Sequence, residues 1–248
     1  KSKKGVNTFK YQHQKLYTRL FALSSVALAD GTNVYVRTGA DLNGKYQTIY
    51  DLHEEKADKF SYEFAIEVTK NISEKFEFGL GLAYQKHGHP ENGAYYDRDK
   101  EGEYTVEYEE KYEVPGYTSI PLYLTLKYKF DAINNFVPYI KGNLGYSFNL
   151  DDENAKILNN DIYTKSNDKD FLYVDSYRNE YDVKMENGLY YGIGAGFEYN
   201  NFTLDLMYQV NEATAKLRDK EPGYENRVYK QDYNYSRLTL GFGYKFNF

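Results

Sequence analysis

Four histidines and no cysteine leave few side chains able to bind a metal or act as a nucleophile. The densest candidate is His87 with His89 in the run K-H-G-H-P. Two histidines two residues apart supply at most half of a tetrahedral zinc shell. The absence of cysteine excludes disulfides and thiolate sites. A net charge of −6 opposes nucleic acid as a partner, because a phosphate binder needs a basic surface. No catalytic residue, metal ligand or cofactor is therefore assigned. What remains is paired charge. Arg37, Asp41, Glu63, Glu67, Glu77, Lys127, Lys129, Lys141, Glu198, Asp205, Arg237 and Lys245 all stand in strict alternation with apolar residues, so strands must place them.

The last thirteen residues, S-R-L-T-L-G-F-G-Y-K-F-N-F, show the pattern most clearly. Leu238, Leu240, Phe242, Tyr244, Phe246 and Phe248 share one face of a strand; Arg237, Thr239, Gly241, Gly243 and Lys245 share the other. The same alternation predicts seven earlier strands over 33–42, 60–69, 76–85, 119–130, 136–149, 188–199 and 202–210. Short links at 70–75, 131–135 and 200–201 alternate with long polar insertions at 86–118, 150–187 and 211–235. Asn200-Asn201 suits a tight hairpin, since Asn tolerates positive φ. Residues 1–29 read as an export signal: six basic residues precede an apolar segment that ends in Ala27-Leu28-Ala29. Residues 30–248 then form one barrel.

A mean hydropathy of −0.78 and the lack of any apolar run near 18 residues exclude membrane-spanning helices. A soluble eight-stranded cup with its apolar face inward meets the same periodicity. Three features favour a membrane barrel instead. Glycines gather on the polar face (Gly79, Gly81, Gly192, Gly194, Gly196, Gly241, Gly243), where a narrow interior needs space. Aromatic residues cluster at both strand ends around an aliphatic middle, and short turns alternate with long loops. The expected fold is all-β: a transmembrane, eight-stranded, antiparallel up-and-down barrel with short periplasmic turns and long extracellular loops.

The closing strand, through Tyr244, Phe246 and Phe248, resembles the assembly signal of bacterial outer-membrane barrels, although Gly241 replaces a polar residue common there. The whole pattern from Asn33 to Phe248 resembles the small outer-membrane barrels of the OmpA and OmpX type, without the peptidoglycan-binding domain that some relatives append. Ser119-Ile120-Pro121-Leu122 and Pro138-Tyr139-Ile140 look like stretches common in that superfamily. The resemblance implies the outer membrane of a Gram-negative-type bacterium, with loops at the cell surface. It also implies contact with outer-membrane lipid, including lipopolysaccharide, and with the barrel assembly machinery. Relatives that deacylate lipid A need His, Ser and an acid on the outer face. His87 and Ser119 offer two of these, but no recognisable motif surrounds them, and they read as loop residues.

Eight strands enclose room for side chains only, so the twelve charges are expected to pair across a plugged lumen. A wet lumen with solvated charges is the other arrangement. Alternation recurs at 103–108, 171–174 and 177–183, so the insertions are expected to rise as a Tyr-rich acidic β-ribbon. Such a ribbon suits adhesion to a host or neighbouring cell, or a solvated shield. The sequence thus points to a non-enzymatic surface protein giving envelope support and ligand attachment, or alternatively to a narrow channel for ions or small solutes.

Overall fold

The computed structural model describes residues 31–49, 53–102, 104–151, 156–166, 171–220 and 227–248. The export signal expected over residues 1–29 lies outside them. Among the described residues there are fifteen strands and no helix. In chain order the first eight are β1 (Thr32–Tyr46), β2 (His53–Ala57), β3 (Tyr62–Asn71), β4 (Phe76–Lys86), β5 (Pro90–Glu101), β6 (Tyr104–Glu113), β7 (Tyr117–Lys129) and β8 (Phe136–Asp151). The rest are β9 (Lys156–Ser166), β10 (Phe171–Glu186), β11 (Gly188–Tyr199), β12 (Phe202–Asn211), β13 (Thr214–Asp219), β14 (Val228–Asp232) and β15 (Tyr235–Asn247).

Eight of these close into a barrel. The order β3–β4–β7–β8–β11–β12–β15–β1 is antiparallel throughout, and β1 pairs back onto β3. Closure satisfies every ladder and leaves no barrel edge, the condition for crossing lipid with strands. The short links behave as their residues dictate. Asn134 and Asn135 take positive φ of 49° and 73° between β7 and β8, and Asn200 takes 53° in the two-residue turn between β11 and β12.

The apolar face points outward. Ile66, Leu80, Leu124, Leu144 and Ile193 form an exposed aliphatic band. Phe136 stacks on Tyr199 below it, and Tyr146 meets Phe148 edge-on above it. An apolar belt of this extent needs lipid around it. Inside, Gly81 gives Tyr123 its place: a Cβ there would sit 2.3 Å from the Tyr123 Cζ. Gly81→Val is expected to displace that ring and cost about 2 kcal/mol by overpacking. Urea unfolding in phosphatidylcholine vesicles measures it, and an unchanged midpoint would count against the packing account.

Two departures from the sequence reading have clear causes. Strand β1 runs past residue 42 to Tyr46 because a bulge between Asp41 and Asn43 resets the alternation; Leu42 and Asn43 both face out, and Gly44 and Tyr46 face in. The loops are also more than a ribbon. Strands β2, β5, β6, β9, β10, β13 and β14 pair in the order β2–β5–β6–β9–β10–β13–β14, so all four extracellular segments build one seven-stranded wall that prolongs the barrel strands. The alternation read at 103–108 falls in β6, apart from Glu103, which lies outside the described residues; that at 171–174 and 177–183 falls in β10.

Candidate functional site

The lumen is built from the inward residues of every barrel strand. Near the short turns, Lys129 Nζ donates to Glu77 Oε1 at 2.9 Å. Lys127 and Lys245 donate to the two oxygens of Glu198 at 2.9 and 2.8 Å. Tyr35 sits between these carboxylates, its hydroxyl 2.8 Å from Glu77 and 3.0 Å from Glu198. A shallow cavity of about 350 Å³ at this mouth ends on Lys129, Glu198 and Lys245.

The middle tier centres on Glu67. It accepts from Arg37 Nη1 at 3.1 Å, Lys141 Nζ at 2.5 Å and the Tyr123 hydroxyl at 2.8 Å. Arg37 also pairs with Asp205, which accepts from Tyr139 at 2.7 Å. Above it, Arg237 donates to Glu63 at 2.8 Å and to the Gln209 carbonyl at 2.6 Å, with Asp41 at 3.7 Å. The structure thus brings all twelve charges predicted for the lumen into it, each within 4 Å of an opposite charge. Pairing offsets the several kcal/mol that an isolated buried charge would cost.

The long-loop end is closed by tyrosines. Tyr46 and Tyr233 stack with centroids 4.8 Å apart, and Tyr117 and Tyr235 pack against them. Val183, Met185, Ala215 and Leu217 complete the cluster from β10 and β13, and Val114 from the link after β6. Each hydroxyl finds an acceptor: Tyr46 donates to the Gly88 carbonyl at 2.5 Å, Tyr233 to Pro115 at 3.0 Å, Tyr117 to Asn211 at 3.3 Å and Tyr235 to Asp41 at 3.2 Å. Burial holds the Tyr46 and Tyr233 hydroxyls well above the ordinary phenol range, so both remain neutral donors. The sequence reading missed this cap. Tyr117 and Tyr235 lie two residues before Ser119 and Arg237, so extending the inward parity past the strand ends finds them.

His87 and His89 lie in the link between β4 and β5, as read from the sequence, but the link folds inward: His87 is buried and His89 is half-buried. His87 is buried against the rings of Tyr117 and Tyr235 at 4.9 and 4.2 Å, because the strand parity of Gln85 continues through it. Its Nε2 lies 2.9 Å from Ser119 Oγ, which donates to Asn149 at 2.8 Å. A hydrolytic pair needs a carboxylate on the other imidazole nitrogen and access to substrate. Here Nδ1 has no hydrogen-bond partner among the described residues, and both side chains are sealed inside the lumen. His89 turns elsewhere and accepts from the Gly116 amide at 3.2 Å, so the two imidazoles do not converge on one ion.

The phenylalanine strand closes the barrel. Val34 pairs with Phe246 and Val36 with Tyr244 across β1, and the Phe248 amide donates to the Thr32 carbonyl at 2.9 Å.

A family model described as "Outer membrane protein beta-barrel domain" matches residues 31–211. An uncharacterized protein of Pasteurella multocida, PM1543, is 30% identical over 234 residues, covering 91% of this chain and 93% of its own. Among solved structures, OprG from Pseudomonas aeruginosa aligns at 15% identity with a TM-score of 0.42, covering 88% of this chain and 97% of its own. Ail, the attachment invasion locus protein of Yersinia pestis, aligns at 14% identity with a TM-score of 0.34, covering 88% and 100%.

Proposed function

We propose that this chain, which belongs to the outer membrane protein beta-barrel domain family and resides in the outer membrane, serves there as a non-enzymatic surface protein. Its barrel supports the envelope, and its wall above the membrane attaches ligands or cells. One observation carries this reading: among the described residues, paired charges and a tyrosine cap fill the lumen above the short-turn mouth, while the extracellular strands pair into one continuous sheet. A filled lumen offers no path for solute, so it weighs against the channel alternative. The sealed His87–Ser119 pair, lacking an acid, weighs against hydrolysis. Exposed Tyr95 and Tyr96 midway along β5 and Tyr104 at the tip of the β5–β6 hairpin supply contact area at low entropy cost. The partners in this reading are outer-membrane lipid including lipopolysaccharide, a barrel assembly machinery that reads Tyr244, Phe246 and Phe248, and a surface ligand on a host or neighbouring cell.

Hairpin deletion tests the attachment role. Gly93 faces Tyr112 and Leu158 faces Glu180 in register, so residues 94–111 and 159–179 are replaceable by short turns. Both variants are expected to fold, because loops on a closed barrel are energetically separable from it, and to lose most cell binding. Full attachment by a folded variant lacking both hairpins would overturn the assignment.

A further inference from the structure

Lys184 on β10 faces Lys216 on β13, and Lys216 faces Lys230 on β14. Directly opposed residues share a face of the sheet. Val183, Met185, Ala215 and Leu217 fill the cap inside, so the three ammonium groups stand in a row on the outer surface of the wall. Neighbouring strands are about 4.8 Å apart, which makes the row roughly 10 Å across. Like charges directly opposed across strands destabilise a sheet, so the row calls for anionic compensation. Glu186 supplies part of it by pairing with Lys216 and with Lys230, the latter at 3.2 Å. These two lysines hold its carboxyl below the usual carboxylate range, so it is ionised at neutral pH. On the same face Asp182 is taken by Lys220 at 2.9 Å and Asp232 lies two residues along β14 from Lys230, so within the row itself three cations meet one carboxylate.

Immediately beside the row runs a groove of about 1020 Å³ whose lining includes Lys184, Glu186 and Lys216 together with Tyr146, Phe148 and Leu150. The last three are exposed on the lipid-facing side of β8, within and just above the upper aromatic ring. The groove is therefore cationic toward the cell exterior and apolar toward the membrane. A free inorganic anion satisfies only the first half of that lining.

We propose that this groove seats a phosphorylated lipid of the outer leaflet, with phosphate on Lys184 and Lys216, which line it, and on Lys230 at the end of the row beside it, and acyl chain along Tyr146, Phe148 and Leu150. The inference deepens the lipid partnership proposed above and rests on it. It assigns Glu186 as the group that limits affinity, since its carboxylate occupies two of the three lysines.

The test uses the full chain refolded in phosphatidylcholine bicelles and titrated with diphosphorylated lipid A, its dephosphorylated form, or inorganic phosphate, with adducts read by native mass spectrometry. Diphosphorylated lipid A is expected to form a saturable adduct, weakened about fivefold per lysine in K184Q, K216Q and K230Q. E186Q is expected to tighten it, an outcome that general loss of structure does not produce. Equal binding of the dephosphorylated lipid, displacement by millimolar inorganic phosphate, or wild-type affinity in the triple Lys→Gln variant would each overturn the site. Cell attachment by the triple variant is read separately: retained attachment with lost lipid binding supports the groove, and lost attachment with unchanged lipid binding overturns it while leaving the wall's adhesive role standing.

Discussion

Glu67→Ala is expected to destabilise the barrel by about 3–5 kcal/mol, the cost of leaving a buried ion pair without one partner. The position is unusually exposed to this effect, because one carboxylate serves Arg37, Lys141 and Tyr123 together. Its removal leaves Lys141 without its only ion-pair partner among the described residues, while Arg37 keeps Asp205. The exposed pair Lys45–Glu55, at 3.4 Å, is the control. Glu55→Ala is expected to change stability by less than about 0.5 kcal/mol, since water already solvates both groups. Urea titration in lipid vesicles compares the two. Equal, small effects would mean that the lumen is wet enough to screen its charges.

Tyr233→Ala is expected to act on the wall and spare the barrel. The ring stacks on Tyr46, packs near Tyr117 and is fully buried, so truncation opens a cavity worth about 3 kcal/mol or more. That cluster joins the wall strands to the barrel mouth, and the cost falls on local opening. Cleavage of the wall by a protease tracks the open population, so it is expected to accelerate about a hundredfold while barrel unfolding stays near wild type. Tyr233→Phe keeps the stack and loses the hydrogen bond to the Pro115 carbonyl, worth about 1 kcal/mol. A Tyr233→Ala protein with wild-type protease resistance would show that the cap does not couple the two parts.

The barrel was legible because lipid enforces a strict period of two. Runs such as Phe76 to Gln85 alternate without error, so both strand and face follow from sequence. Which charges meet was not legible, because Glu67 and Lys141 are brought together only by closure of strands 74 residues apart in the chain. The wall was partly hidden for a different reason. In β6, Y-T-V-E-Y-E-E-K-Y-E, water touches enough of both faces that polar residues break the alternation. The tyrosine cap escaped because Tyr46, Tyr117 and Tyr235 stand at the ends of β1, β7 and β15 beyond the alternation legible in sequence, where the β1 bulge and the wall residues complete it.

Single-channel recording of the chain from Asp30 onward, refolded and placed in a planar bilayer, tests the central claim most directly. A barrel filled by paired charges and sealed by Tyr46, Tyr117, Tyr233 and Tyr235 is expected to stay silent across the voltage range. Steady, ion-selective openings of nanosiemens scale would contradict a closed lumen and put the narrow channel in its place.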